Sequence, residues 1–168
     1  MCIRDSRELV VVDDASTDDT PDVVRRFAAA AAFPVRSIRL DRNSGGPSRP
    51  MNVGAEAVTG RWFTVLDHDD LLAPDAVAEY AAAADAAPAG VGVLSSDFET
   101  FDAGGPVCRS QFAQLGVLPP MLAGRPKPAV FGPAEARGLL ARGWCLPAKA
   151  AFDREVWRAV GGFHEGYR

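Results

Sequence analysis

Apolar positions come in short runs, separated by polar stretches rich in glycine and proline. Leu9-Val10-Val11-Val12 is a continuous β-branched run, the pattern of a buried strand in a parallel sheet. It stops at Asp13-Asp14, and Thr20-Pro21 reads as an N-cap followed by a first-turn proline. The spacing of Val24, Phe27 and Ala28 predicts a helix that ends near Pro34. From Val35 to Leu40 polar and apolar positions alternate, which predicts a less buried strand toward a sheet edge. A helix through Met51, Val53, Ala55 and Ala57 follows, with Gly60 as its stop. Trp62, Phe63, Val65 and Leu66 form a second buried run, ending in Asp67-His68-Asp69-Asp70. Pro74 to Ala87 predicts an alanine-rich helix, Gly92 to Ser96 a strand and Asp102 to Gly105 a turn.

The pattern is weakest from Arg109 to Trp144. Pro119, Pro120, Pro126, Pro128 and Pro133 make this a loop-rich region with one short helix around Ala134 to Ala141. Ala148 to Phe152 predicts a last strand, and Arg154 to Val160 a short helix stopped by Gly161-Gly162. Strands alternating with helices indicate an α/β chain with a largely parallel sheet. No internal repeat or linker interrupts it, so one domain is expected over 8–168, after a leader, 1–7, that fits no element.

Composition narrows the class. Apolar residues are 48% and charged residues 24%, the balance of an ordinary globular domain. The net charge is −4 with no basic run, which excludes a nucleic-acid partner. No uncharged apolar stretch would span a bilayer; the longest, Ser110 to Gly124, is broken by Pro119 and Pro120. Met1 to Glu8 is charged and lacks the apolar core of a secretory signal. Cys2, Cys108 and Cys145 are widely spaced, as expected of reduced thiols in the cytoplasm. His68 and His164 are the only histidines, so a multi-histidine metal site is excluded.

The acidic strand ends carry the candidate chemistry. A buried run that closes on Asp67, Asp69 and Asp70 is costly unless the carboxylates meet water, a cation or donors. Mg²⁺ or Mn²⁺ takes one or two carboxylates from protein and completes its shell with water and phosphate. In a parallel sheet, Asp13-Asp14 and Asp67-Asp69 would lie on one edge, where open α/β sheets bind ligands. A solvated acidic turn that caps the next helix is the alternative for Asp67–Asp70. Asp18 and Asp19 are assigned to the dipole of the following helix. Ser16 and Thr17 are expected to turn their hydroxyls on the loop backbone. Asn43-Ser44-Gly45-Gly46 precedes a helix, and a phosphate contact or a plain loop fits it equally. It matches neither G-x-G-x-x-G nor a P-loop. His68 alternates away from Asp67 and Asp69 and is not taken as a ligand. Cys145 reads as a packed thiol, and Trp144 and Trp157 as core or pocket walls.

Four segments in register go further. LVVVDDASTDDT, RNSGG with Asn52-Val53-Gly54, GRWFTVLDHDDLLAPDAV and REVWRAVGGF occur in the order and spacing of family 2 glycosyltransferases with the GT-A fold. The resemblance runs from Glu8 to Phe163. It implies a Rossmann-like, nucleotide-sugar-binding sheet flanked by helices. It implies inverting transfer of a sugar from a UDP-, GDP- or dTDP-sugar to a hydroxyl of a glycan, lipid or protein, with Mn²⁺ or Mg²⁺. By the same resemblance Asp14 contacts the nucleotide base and Asp67-His68-Asp69 is the D-x-D motif. Asp69 then binds the metal, and Asp67 lies toward the ribose or the metal. Gly161, Gly162 and Phe163 resemble the loop on the acceptor side. The setting implied is cell-wall or polysaccharide synthesis, in the cytoplasm or at the inner face of the membrane, with peripheral membrane association of the parent protein allowed.

The sequence also departs from the family. The family's base lies shortly after the G-G-F loop and is expected beyond Arg168; Glu165 is too close to that loop to be assigned the role. A first apolar strand and helix normally precede the Glu8–Asp14 segment and are not recognisable here. Met51 stands where the family often has arginine. The chain is therefore expected to be a fragment truncated at both ends, inactive alone and poorly stable because strand edges are left unpaired. A response-regulator receiver domain is the rival reading, since Lys127-Pro128 and the acidic strand ends imitate its pattern, but it leaves REVWRAVGGF unexplained. A non-catalytic remnant that binds nucleotide sugars is the other.

Overall fold

The computed structural model describes residues 8–116, 123–125, 128–141 and 150–166. The expected leader Met1–Arg7, Lys127, Trp144, Cys145 and the start of the strand expected at Ala148 lie outside the described residues. In chain order the elements are β1 (Leu9–Asp13), α1 (Thr20–Ala30), β2 (Val35–Arg39), α2 (Ser48–Ala57), β3 (Trp62–Thr64), α3 (Ala76–Ala86), β4 (Val93–Ser95), β5 (Thr100–Asp102), β6 (Gly105–Cys108), α4 (Gln111–Leu115), α5 (Pro133–Ala141), β7 (Ala150–Asp153) and α6 (Arg154–Ala159). They form two compact units: one holds the chain up to Val93 together with Ala151 onward, the other runs from Leu94 to Ala150. Each is described by itself.

In the first unit β1 and β2 pair in parallel, with Leu9 opposite Val35 and Asp13 opposite Arg39. Two details differ from expectation. Leu9 to Val12 are half-buried, and Asp13 is the fully buried member of β1. The cause is one-sided pairing: among the described residues β2 is the only strand on β1, so the other edge is open. At α1 the N-cap is Asp19, not Thr20, and Asp18 accepts a hydrogen bond from the Thr20 N–H at 3.0 Å. Proline in the first turn fits either frame, so the sequence alone misplaces the cap by one residue. Helix α2 lies against β1 at Gly54, where an added Cβ would stand 3.4 Å from Val12 Cγ2.

Parallel pairing stops there. β3 pairs antiparallel with β7, Phe63 opposite Phe152. The partner of β3 enters from a segment remote in sequence, so the short-crossover rule that imposes parallel direction does not reach it. The strand is also shorter than its apolar run, and Val65 and Leu66 lie beyond it.

The core of this unit is aromatic. Ala55, Phe63 and Trp157 are buried, with Val58, Val65, Phe152 and Phe163 packed against them. Phe63 stacks on Phe152 at 5.6 Å and meets Trp157 edge-on at 5.7 Å. Phe163 meets Phe152 at 5.8 Å and Trp157 at 6.2 Å. Asp153 is buried beside this cluster and caps α6, accepting from the N–H groups of Glu155 and Val156 at 2.9 and 3.2 Å. It also accepts from Arg61 Nε at 2.8 Å, and its own N–H donates to the Gly92 carbonyl at 2.9 Å.

In the second unit β5 and β6 form an antiparallel hairpin with a bulge between Thr100 and Phe101. Asp97 accepts from the Ser110 hydroxyl at 2.6 Å and the Phe112 N–H at 3.0 Å, and Ser110 caps α4. Cys108 is a free, half-buried thiol. Among the described residues no helix is long and apolar enough to cross a membrane.

Candidate functional site

The two aspartates that close β1 do different work. Asp13 is 5% exposed. Its carboxylate accepts from the Ser16 N–H at 2.8 Å and pairs with the Arg39 guanidinium, which also donates to the Ser16 carbonyl at 2.7 Å. Burial pushes the Asp13 carboxyl up, but the Ser16 hydrogen bonds and the Arg39 charge outweigh it and hold it below the ordinary range. Asp13 is thus consumed in closing the strand. Ala15 follows with φ of 61°, the left-handed region that non-glycine residues rarely adopt.

Asp14 is half-buried and holds the loop after β2. Its oxygens accept from the Ser44 N–H at 2.9 and 3.1 Å and from the Ser44 hydroxyl at 2.8 Å. The Asn43 amide donates to the Asp14 carbonyl at 3.1 Å. Two segments singled out from the sequence, Asp13-Asp14 and Asn43–Gly46, are therefore brought together. The polar groups of Ser44 bind Asp14, and Gly45 supplies the turn with φ of 79°.

Asp67 to Asp70 form a turn beyond β3, in which the Asp70 N–H donates to the Asp67 carbonyl at 3.2 Å. Asp67 is half-buried, and His68 and Asp69 are exposed. Among the described residues no group of three or more His, Cys, Asp or Glu side chains is gathered as a metal site. The donor set nevertheless suits a hard divalent ion. Asp67 and Asp69 offer two carboxylates on one turn, and Mg²⁺ or Mn²⁺ draws its remaining ligands from water and phosphate.

Gly161 and Gly162 follow α6 with φ of 85° and 74°. Their N–H groups donate to the carbonyls of Arg158 and Trp157 at 3.0 and 3.1 Å, a left-handed helix stop. The sequence reading missed two residues that organise this region. Asp153 could have been found as an aspartate directly before a helical pattern. Asn52 stands in the Asn52-Val53-Gly54 piece of the family resemblance, which gave it no role, because its side chain reaches Phe163 and Glu165, more than a hundred positions away.

Known proteins complete the picture. The chain is 45% identical over 98 residues to the succinoglycan biosynthesis protein ExoO of Rhizobium meliloti, covering 56% of this chain and 26% of ExoO. It is 36% identical over 75 residues to the poly(ribitol-phosphate) β-N-acetylglucosaminyltransferase TarS of Staphylococcus aureus, covering 45% of this chain and 13% of TarS. It thus spans a quarter or so of ExoO and less of TarS. The crystal structure of S. aureus TarS 1-349 superposes with a TM-score of 0.70 at 24% identity, over 96% of this chain and 42% of that one. TarS 1-349 in complex with UDP-GlcNAc superposes with a TM-score of 0.67 over 93% of this chain and 39% of that one. The structural likeness establishes the GT-A type of α/β fold that the sequence implied, and the fold alone. Residues 3–106, a stretch that includes Asp14, Asn43–Gly46, Asp67 and Asp69, match the profile of glycosyl transferase family 2; the chain belongs to that family.

Proposed function

We propose that this chain is the donor-binding part of an inverting glycosyltransferase that moves a sugar from a nucleoside diphosphate to an acceptor hydroxyl. The observation that carries the reading is Asp14. Its carboxylate is fixed at the end of β1 by Ser44, while its neighbour Asp13 is neutralised by Arg39. A fixed carboxylate that accepts hydrogen bonds suits the N–H edge of a nucleotide base. UDP-GlcNAc bound to TarS supports a UDP-sugar donor, with GDP- and dTDP-sugars as the alternatives. The names of ExoO and TarS support a polysaccharide or other cell-surface glycan as acceptor, and lipid or protein hydroxyls remain in the class.

Asp69, with Asp67, would hold Mn²⁺ or Mg²⁺. Such an ion offsets the negative charge that builds on a diphosphate leaving group. Gly161, Gly162 and Phe163 are proposed to line the acceptor side. The acceptor hydroxyl must lose a proton to a general base. Glu165 is not given that role: it is paired with Arg49 at 3.5 Å and accepts from Asn52 at 2.8 Å. Peripheral attachment to the inner face of a membrane fits a polysaccharide acceptor.

The test is calorimetric titration of UDP into the full-length protein with Mn²⁺ and with chelator, for wild type, Asp14→Asn and Asp69→Asn. The reading expects metal-dependent binding that each substitution weakens about tenfold. Affinity that ignores both the chelator and Asp69→Asn would refute the metal assignment.

A further inference from the structure

Asn52 lies on α2, and its amide is engaged at three points. Oδ1 accepts from the Phe163 N–H at 2.9 Å, and Nδ2 donates to the Phe163 carbonyl at 2.9 Å. Nδ2 also donates to Glu165 Oε1 at 2.8 Å, and the other Glu165 oxygen faces Arg49, from the same helix, at 3.5 Å. A primary amide that satisfies both backbone groups of one residue reproduces the pairing of a β ladder with a single side chain. The loop has no slack on its other side. A Cβ on Gly162 would come within 2.7 Å of Trp157 Cζ2 and 2.9 Å of Asn52 Oδ1, at a φ that disfavours any side chain.

We infer that Asn52 is a positioning residue: it holds the Gly161–Phe163 loop and Glu165 in fixed register with α2. The same helix follows the Asn43–Gly46 loop that Asp14 holds, so one rigid element references both segments. The inference rests on the proposal that Gly161–Phe163 borders the acceptor. A residue that served stability alone would affect folding and leave the kinetic constants of the folded enzyme in place. A positioning residue changes turnover while nucleotide affinity stays constant.

The test uses the full-length protein with Asn52→Ala, Asn52→Asp and, from the loop side with Asn52 intact, Gly162→Ala. Three quantities are read: exchange of the Phe163 amide hydrogen, the Kd of UDP with Mn²⁺, and kcat and KM for UDP release from UDP-GlcNAc as its sugar passes to water. For Asn52→Ala and Gly162→Ala, Phe163 exchange should rise about tenfold. Turnover should fall about tenfold, with UDP affinity within about twofold of wild type. Asn52→Asp keeps the acceptor but loses both donated bonds and sets a carboxylate against Glu165, so its turnover should fall at least as far. Unchanged Phe163 exchange in Asn52→Ala overturns the inference alone. So does raised exchange with turnover intact. A wild type that fails to bind UDP overturns the donor reading, and this inference with it. A wild type that binds UDP yet releases none from UDP-GlcNAc overturns the link between this loop and turnover, and this inference with it.

Discussion

Replacing Asp153 by alanine removes three hydrogen bonds from one buried carboxylate, and their unequal worth can be worked out. The carboxylate is 4% exposed and accepts from the first-turn N–H groups of Glu155 and Val156. Loss of an aspartate N-cap costs about 1–2 kcal/mol. The third bond comes from Arg61, whose side chain is 72% exposed, so that ion pair is screened and adds only about 0.5 kcal/mol. Asp153→Ala should therefore cost about 2 kcal/mol, and Arg61→Ala about 0.5 kcal/mol. Urea denaturation followed by tryptophan fluorescence measures both, with Trp157 in the core as reporter. Acid supplies a second signature. Burial raises the Asp153 carboxyl, but the hydrogen bonds from Arg61, Val156 and Glu155 outweigh it, so it titrates below the ordinary aspartate value. A depressed carboxyl gives its full stability above the unfolded value, about 3.9, and loses it as the pH falls through the folded value. The gap between wild type and Asp153→Ala should be flat from about pH 5 to 8 and shrink below about pH 4. Equal costs for Asp153→Ala and Arg61→Ala, or a gap that widens in acid, would refute the reasoning.

Other substitutions probe the same frame. Phe63→Ala empties the centre of the aromatic cluster and should cost about 3–5 kcal/mol in the same urea assay. Gly92→Ala would set a Cβ 2.7 Å from Val156 Cγ1 and should cost about 1–3 kcal/mol, largely recovered when Val156→Ala is added. At the end of β1 the neighbours should separate. Asp13→Asn lowers the urea midpoint because it removes the buried carboxylate charge that pairs with Arg39, and Asp14→Asn spares the midpoint but weakens UDP about tenfold by titration.

What the sequence revealed was local, and what it hid was distant. The alanine-rich segment predicted from Pro74 to Ala87 forms α3 between Ala76 and Ala86, since helix signals sit within a few turns. The Leu9–Val12 run likewise announced β1. The direction of β3 was not legible, because its partner β7 lies far along the chain and no periodicity encodes such a pairing. The roles of Asp13 and Asp14 could be told apart only once Arg39 and Ser44 were placed beside them. The reach of Asn52 to Phe163 spans a greater sequence distance than the β3–β7 pairing and was equally hidden.

The aromatic cluster joins Phe63 to Phe152, Trp157 and Phe163, and the unit that holds it is interrupted by Leu94–Ala150. During synthesis, the first stretch of this unit must wait for its core until the last has left the ribosome. At roughly 5–20 residues per second, that interval is about 4–14 s for the chain between Val93 and Phe163. Over those seconds Trp62 and Phe63 lack their packing partners, the condition in which nascent chains recruit chaperones or associate. High contact order is thus built into this unit, and its yield in a cell should respond to translation speed.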